Sequence, residues 1–424
     1  MLIEFSVENF RSIRERQTLS MVAAPRIARK NNVFRPKASG EALPSLLKVA
    51  AIYGPNASGK TSILDALSFV CRLCARSPAN SDRPLLAKPF RFDPQLADAP
   101  SYFELHFVVK GMRYEFHLGA TAERITLESL TAYPKGEEME LYRRVASSPA
   151  DLYSFHDELQ GTKEVHDAWR KLTNQRTLFI SQAVANSSEE LDQLATPFSW
   201  LRYGLLPNTL RVGSTLEEVQ RLALKHPIWC QELADFLSEF DIPITGIEAR
   251  EVASEGAEKV EIENGPQDLE QQEPPPTKVV TRFTHKTALG SAKFSLSEES
   301  TGTRNLLAFA LPWTLHQADR PDDERMRVMI VDELDSSLHP SIVQKLIRKM
   351  LASPIDGQLI FTTHDTHLMS TGLLRRDQFW ITERDENGAT RLRSVYEFEG
   401  REGEQVERRY FAGRYSGLPV LKGS

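Results

Sequence analysis

The sequence predicts an α/β protein with a mixed-sheet core, an antiparallel β layer joined to it and an inserted helical lobe. Three observations set that class. Short apolar runs at 47–53, 327–331 and 358–363 read as buried strands. Alternation at 102–118 reads as an antiparallel hairpin, and a further strand pair follows at 125–133 and 139–145. Apolar residues at helical spacing dominate 150–240.

A chain of 424 residues holds two or three lobes. We divide it into 1–150, the N-terminal half of the core with its β layer; 151–253, the helical lobe; 254–277, an acidic flexible linker; and 278–424, the C-terminal half. A formal charge of −6 excludes a globally basic nucleic-acid coat and leaves room for a local basic groove. Cys71, Cys74 and Cys230 indicate a reducing compartment without a disulfide framework, and Cys71 and Cys74 read as packing on one helix. No apolar run approaches a membrane span, and the N-terminus alternates like a strand without the basic start of a signal peptide. The expected location is cytoplasmic, away from membranes.

In order, 1–10 is a strand whose partner is 17–23, with the polar turn Asn9-Phe10-Arg11-Ser12 between them. Prolines and Gly40 make 25–45 a loop. The buried strand 47–53 then leads into Gly54-Pro55-Asn56-Ala57-Ser58-Gly59-Lys60-Thr61, and a helix follows with Ser62 in its first turn and Ile63, Leu64, Leu67 and Val70 inward. This octapeptide fits the phosphate-cradling pattern G-x-x-x-x-G-K-[ST]. Gly54 and Gly59 let backbone N–H groups close around a phosphate where a Cβ would obstruct. Lys60 can reach the β- and γ-phosphates, and the Thr61 hydroxyl can ligate Mg²⁺. The helix N-terminus adds free N–H groups and its dipole. Residues 54–62 are therefore assigned to a nucleoside triphosphate.

Beyond a polar connection at 77–89, the first hairpin turns at Lys110-Gly111 and a second strand pair occupies 125–133 and 139–145. Leu152, Phe155, Leu159, Val165, Trp169 and Leu172 have helical spacing, as do Leu216, Val219, Leu222, Leu233, Phe236, Leu237 and Phe240. The stretch 254–277 carries seven acidic residues and one Lys259 before Pro274-Pro275-Pro276. Strands resume at 278–285 and 292–296, and a helix runs from about Ser300 to Gln317. The run 327–331 ends in Asp332-Glu333 and the run 358–363 in His364. Asp332 is placed to hold Mg²⁺ through water, Glu333 to orient and deprotonate the attacking water, and His364 to contact the γ-phosphate. The chain closes with a hairpin over 379–397, turning at 385–388.

As a set, these motifs resemble an ABC-type ATPase of the SMC, RecF and OLD branch. Asp332-Glu333-Leu334-Asp335-Ser336-Ser337-Leu338-His339-Pro340 is similar to that branch's Walker B running into its D-loop, and His364 to its switch histidine. Asn9-Phe10-Arg11-Ser12 resembles the F-R-S element that borders the nucleotide, which implicates Asn9, Arg11 and Ser12. Glu299-Ser300-Thr301-Gly302-Thr303-Arg304 stands at the place of the signature L-S-G-G-Q, with Thr301 for the first glycine and Thr303 for the glutamine. A serine N-cap, a small glycine and free N–H groups still make an anion site of Ser300, Gly302 and Thr303. Gln95 and Gln182 are the candidates for a Gln-loop.

The S-x-G-T signature and the stretches 373–380 and 410–419 are similar to AbiLi/RloA-like ATPases of bacterial phage-defence loci. The resemblance implies an ABC-type head that hydrolyses ATP with Mg²⁺. It further implies a head-to-tail homodimer, or a higher oligomer, in which one chain's Walker A faces another's signature, and a separately encoded effector, a nuclease or toxin. The alternative is a RecF-like repair ATPase that clamps duplex DNA; a third reading is a nucleotide-gated scaffold that hydrolyses very slowly. Arg375 and Arg376 are expected as a solvated pair, with nucleic acid or a partner as their possible contact.

Overall fold

The computed structural model describes residues 1–76, 83–208, 212–225, 227–253, 277–317, 328–354, 356–370, 372–400 and 405–418. In chain order these form β1 (Leu2–Glu8), β2 (Gln17–Ser20), a short ribbon of β3 (Val33–Phe34) and β4 (Leu46–Leu47), β5 (Val49–Tyr53) and α1 (Lys60–Ala75). There follow β6 (Ser101–Val109), β7 (Met112–Ala120), β8 (Ile125–Ala132), β9 (Met139–Val145), β10 (Leu152–Phe155), α2 (Lys163–Leu172), α3 (Phe179–Ala185) and α4 (Ala195–Ser199). Next come β11 (Leu205–Asn208), α5 (Val212–Lys225), α6 (Pro227–Ser238), β12 (Ile244–Ala253), β13 (Thr277–Thr287), β14 (Gly290–Ser295) and α7 (Thr301–Gln317). The chain continues through β15 (Val328–Val331), α8 (Pro340–Ala352), β16 (Gln358–Thr362), α9 (His367–Ser370), β17 (Phe379–Arg384), β18 (Thr390–Ser394) and α10 (Val406–Phe411).

Alternating sequence builds a seven-stranded antiparallel sheet, β10-β9-β8-β7-β6-β1-β2. Its inner face buries Phe5, Val7, Phe103, Leu105, Phe107, Phe116, Leu118 and Leu130. Alternate positions put Glu4, Glu104, His106, Glu115 and His117 on the other face. Continuous apolar runs build the second sheet, β11-β15-β16-β5-β17-β18, in which only β18 is antiparallel. All residues of β5, β15 and β16 are buried, as strands covered on both faces must be. Gln358 at the head of β16 ties the sheets together. It accepts from the Leu2 N–H at 2.7 Å and donates to the Leu2 carbonyl at 2.8 Å.

Two compact units emerge: Met1–Thr209 with Leu315–Ser424, and Leu210–Thr314. This differs from the lobe drawn at 151–253. Leu152 and Phe155 lie in β10, paired with Val145 and Tyr142 of β9, so their three-residue spacing is not helical. Tyr153 and Phe155 turn their rings towards Phe179 while Leu152 is exposed, the two-residue period of an edge strand. Residues 151–208 belong to the first unit. Trp200 stacks on Phe107 with centroids 4.0 Å apart, and β11 extends the parallel sheet.

The second unit is not purely helical. Besides α5, α6 and most of α7 it holds the antiparallel sheet β12-β13-β14. Within it the Phe236 ring lies beside Phe309 and Trp313 of α7. The acidic residues 254–276 lie outside the described residues, but their flanks are partners: Ala253 pairs with Thr277. The acidic stretch therefore connects adjacent strands of one sheet rather than two lobes. Arg375 is also not solvated. It is buried against Asp377 at 2.7 Å and donates to the Ala24 carbonyl at 2.9 Å. Cys71 and Cys74 are buried free thiols on α1.

Candidate nucleotide-binding site

The parallel strands β15, β16 and β5 are neighbours in that order, so their C-terminal ends bring three separate motifs together. The loop after β5 is held by hydroxyls from the other side of the sheet. Thr382 on β17 donates to the Tyr53 carbonyl at 3.1 Å and shares a 2.6 Å hydrogen bond with Ser58. Thr390 on β18 donates to Ser12 at 2.7 Å, and Ser12 donates to Ser62 at 2.8 Å. That closeness explains both glycines. A Cβ on Gly54 would collide with Thr382 Oγ1 and one on Gly59 with Thr390 Oγ1, at φ of +150° and +99°.

Pro55, Asn56 and Ala57 form the tip of the loop, with Asn56 and Ala57 exposed. Lys60 folds back over it, its Nζ donating to the carbonyls of Gly54 at 2.8 Å and Pro55 at 3.1 Å. Burial lowers the Lys60 pKa, and Asp332, Glu333 and Asp335 oppose that shift by favouring the charged ammonium. Thr61 at the start of α1 donates to Asp332 Oδ2 at 2.9 Å. This places a hydroxyl and a carboxylate oxygen side by side next to an ammonium group. Hard oxygen donors of this kind fit Mg²⁺, and the ammonium fits phosphate.

The end of β15 is fixed by Thr362, which is buried at the end of β16. Its Oγ1 donates to Asp332 Oδ1 and accepts the Glu333 N–H at 2.7 Å. Glu333 has φ of +51°, a left-handed backbone unusual outside glycine, and its side chain is exposed. The His364 N–H donates to Asp335 Oδ2 at 3.2 Å, which joins the turn after Glu333 to the residue following β16. His364 is exposed at the same strand end. Thr362, Thr382 and Thr390 were not singled out from the sequence; the signal available was a threonine at or near the end of each strand beside the loop.

The turn 9–12 meets α1 through two of its expected residues. Ser12 bonds Ser62, and Arg11 pairs with Asp65 one turn further along. Asn9 departs from expectation. It is buried, its amide donates to the carbonyls of Leu96, Ala99 and Pro100, and its Oδ1 accepts the Phe90 N–H at 2.9 Å. Its amide N–H groups and one acceptor site of Oδ1 are therefore spent on anchoring the loop 90–100.

In the second unit Ser300 caps α7, accepting the Thr303 N–H at 3.1 Å and sharing a 2.9 Å bond with the Thr303 hydroxyl. Glu299, buried just before the cap, bonds His285 at 2.7 Å. Gly302 occupies the first turn.

Residues 49–370 match the family described as "AAA domain, putative AbiEii toxin, Type IV TA system". That span is well over half of the chain and contains the phosphate loop, Asp332, Glu333 and His364. The chain belongs to this family. It is a nucleotide-binding, ATP-hydrolysing enzyme of the AAA kind, built on a P-loop. Among solved structures it is similar to the SMC head domain from Thermotoga maritima, at 16% identity and a TM-score of 0.40, over 93% of this chain and 98% of that one. It is also similar to an SMC head solved bound to the C-winged helix domain of ScpA, at 12% identity and a TM-score of 0.40, over 93% of this chain and 97% of that one. No curated protein matches significantly. Among the described residues no helix is long and apolar enough to cross a membrane.

Proposed function

We propose that ATP closes two copies of this AAA-family chain head to tail and that hydrolysis reopens them. In this reading the open and closed states gate a separately encoded nuclease or toxin in an anti-phage, abortive-infection system. Each ATP lies between residues 54–62 of one copy and Ser300, Gly302 and Thr303 of the other. The observation that carries the reading is the contact of Thr61 with Asp332 beside exposed Glu333 and His364, since it unites a phosphate cradle with a base. The effector context is supported by the family description, which names a toxin and a toxin–antitoxin system.

The chain's own groups divide the work as follows. Lys60 and the N–H groups of 54–62 bind the phosphates, with Arg11 and Ser12 at the border of the cradle. Thr61 and Asp332 would hold Mg²⁺, which when bound neutralises charge developing between the β- and γ-phosphates. Glu333 takes the proton of the attacking water, and His364 orients that water against the γ-phosphate. Contacts from Ser300 and Gly302 reach the γ-phosphate only while it remains attached, so cleavage removes part of the interface.

Glu333→Gln keeps the shape of the side chain and removes the base. The expected result is a fall in kcat of about 10²–10⁴-fold, with accumulation of ATP-bound dimers on a sizing column. Hydrolysis at the wild-type rate, or a variant that stays monomeric with ATP, would sink the reading.

A further inference from the structure

The outer face of the seven-stranded sheet carries a group of side chains that the nucleotide chemistry does not use. Register places Glu104 of β6 opposite His117 of β7, and His106 opposite Glu115. Histidine and glutamate therefore alternate around a square, each imidazole having one carboxylate across the ladder and one along its own strand. His106 Nε2 is 2.7 Å from Glu104 Oε1 and its Nδ1 is 3.6 Å from Glu115 Oε2. His117 Nε2 is 2.5 Å from Glu115 Oε1 and 3.8 Å from Glu104 Oε2. We propose that Glu104, His106, Glu115 and His117 form a binding site for a zinc-class divalent cation.

The dimensions suit such an ion. One ligand atom from each of Glu104, His106 and Glu115 lies within 4.8 Å of the other two. Tetrahedral zinc with bonds of about 2.0–2.1 Å needs its ligand atoms roughly 3.3 Å apart, a difference that side-chain rotation covers. Two imidazoles with two carboxylates select zinc over Mg²⁺ or Ca²⁺, which prefer all-oxygen sets. Outer hydrogen bonds already hold both carboxylates. The Arg16 guanidinium donates to Glu104 Oε1 at 2.8 Å, and the Tyr133 hydroxyl donates to Glu115 Oε2 at 2.8 Å. All four ligands are half-buried, shielded in part from water yet open to an ion.

The charges also close. Glu4 on β1 is the register partner of His106. With both histidines neutral, Glu4, Glu104 and Glu115 against Arg16 leave a net charge of about −2, which one dication cancels. Protons on the two imidazoles supply the same charge, so the rival description is a ring of ion pairs held by protons alone.

The test uses the full-length protein, stripped with a chelator and dialysed against zinc chloride without nucleotide. The expected result is one zinc ion per chain and a melting midpoint that rises with zinc; cobalt(II) chloride gives the visible band of a tetrahedral site. The double substitution His106→Asn with His117→Gln abolishes both, and its retained ATP binding shows that it folds. Tyr133→Phe leaves every ligand in place and weakens zinc binding by about tenfold or more. No zinc bound by the wild type, or equal zinc bound by wild type and double variant, overturns the site in favour of the proton-held ring. Tyr133→Phe with unchanged affinity overturns it as well.

Discussion

Thr362 shows how the chemistry of a nucleotide site depends on residues that touch no substrate. Its hydroxyl connects two consecutive residues, accepting the Glu333 N–H and donating to the Asp332 carboxylate. Glu333 sits in a left-handed backbone that costs a non-glycine residue of order 1–3 kcal/mol, so something must hold it there. Thr362→Val keeps the shape and removes the hydroxyl, leaving the Glu333 N–H without its acceptor. We expect a stability loss of about 1–3 kcal/mol in urea titrations. We also expect kcat to fall more than KM for ATP rises, because Glu333 loses its orientation while the phosphate cradle persists. An unchanged kcat would mean that the left-handed turn holds without Thr362. The difference between Thr362 and Asp332 explains what could be read in advance. Asp332, Glu333 and Lys60 act through their side-chain chemistry, which a motif preserves. Thr362 acts by fixing a neighbour's backbone, and Asn9 by bonding three carbonyls of a loop about 90 residues away. A linear sequence marks neither.

At the level of elements, the strands whose period is clean were legible and the edges were not. β6 and β7 alternate because one face of each is buried for most of its length, and β5, β15 and the middle of β16 between Gln358 and Thr362 are apolar because both faces are buried. β10 is an edge strand of four residues, too short to show its period. What fixes this edge is a buried polar pair. Glu128 of β8 and Arg144 of β9 are register partners, both fully buried. Glu128 accepts the N–H groups of Phe179 and Ile180 at the start of α3, at 2.7 and 3.0 Å. Arg144 donates to the carbonyls of Thr177 and Asn174 just before it. Burial raises the Glu128 pKa, and Arg144 with these donors favours its ionised form. Arg144→Met strands a buried carboxylate and should cost about 3–5 kcal/mol in urea denaturation. Adding Glu128→Gln removes the unpaired charge, keeps an acceptor for α3 and should recover most of that loss. A double variant no more stable than the single one would show that the pair's charge is not what matters.

For the whole molecule, the organising fact is that the phosphate loop and the signature lie in different compact units, residues 54–62 in one and Ser300 to Thr303 in the other. The sequence showed both motifs but drew the boundary elsewhere, because strands β12 and β13 of the second unit flank an acidic stretch that looked like a linker. The proposed dimer makes a prediction that separates a site shared between copies from one completed within a single chain. Lys60→Ala removes the phosphate ammonium. Ser300→Asp keeps a good N-cap for α7 and puts a negative charge where the γ-phosphate would lie. Each variant alone should be inactive as an ATPase. When equal amounts are mixed, half the dimers carry both lesions in one site and neither in the other. ATPase activity should then return to about a quarter of the wild-type value if closure pairs copies at random. A site completed within one chain gives no recovery at any mixing ratio, since every copy still carries a lesion of its own. Recovery that rises with the fraction of mixed dimers therefore assigns Ser300 to the partner's nucleotide.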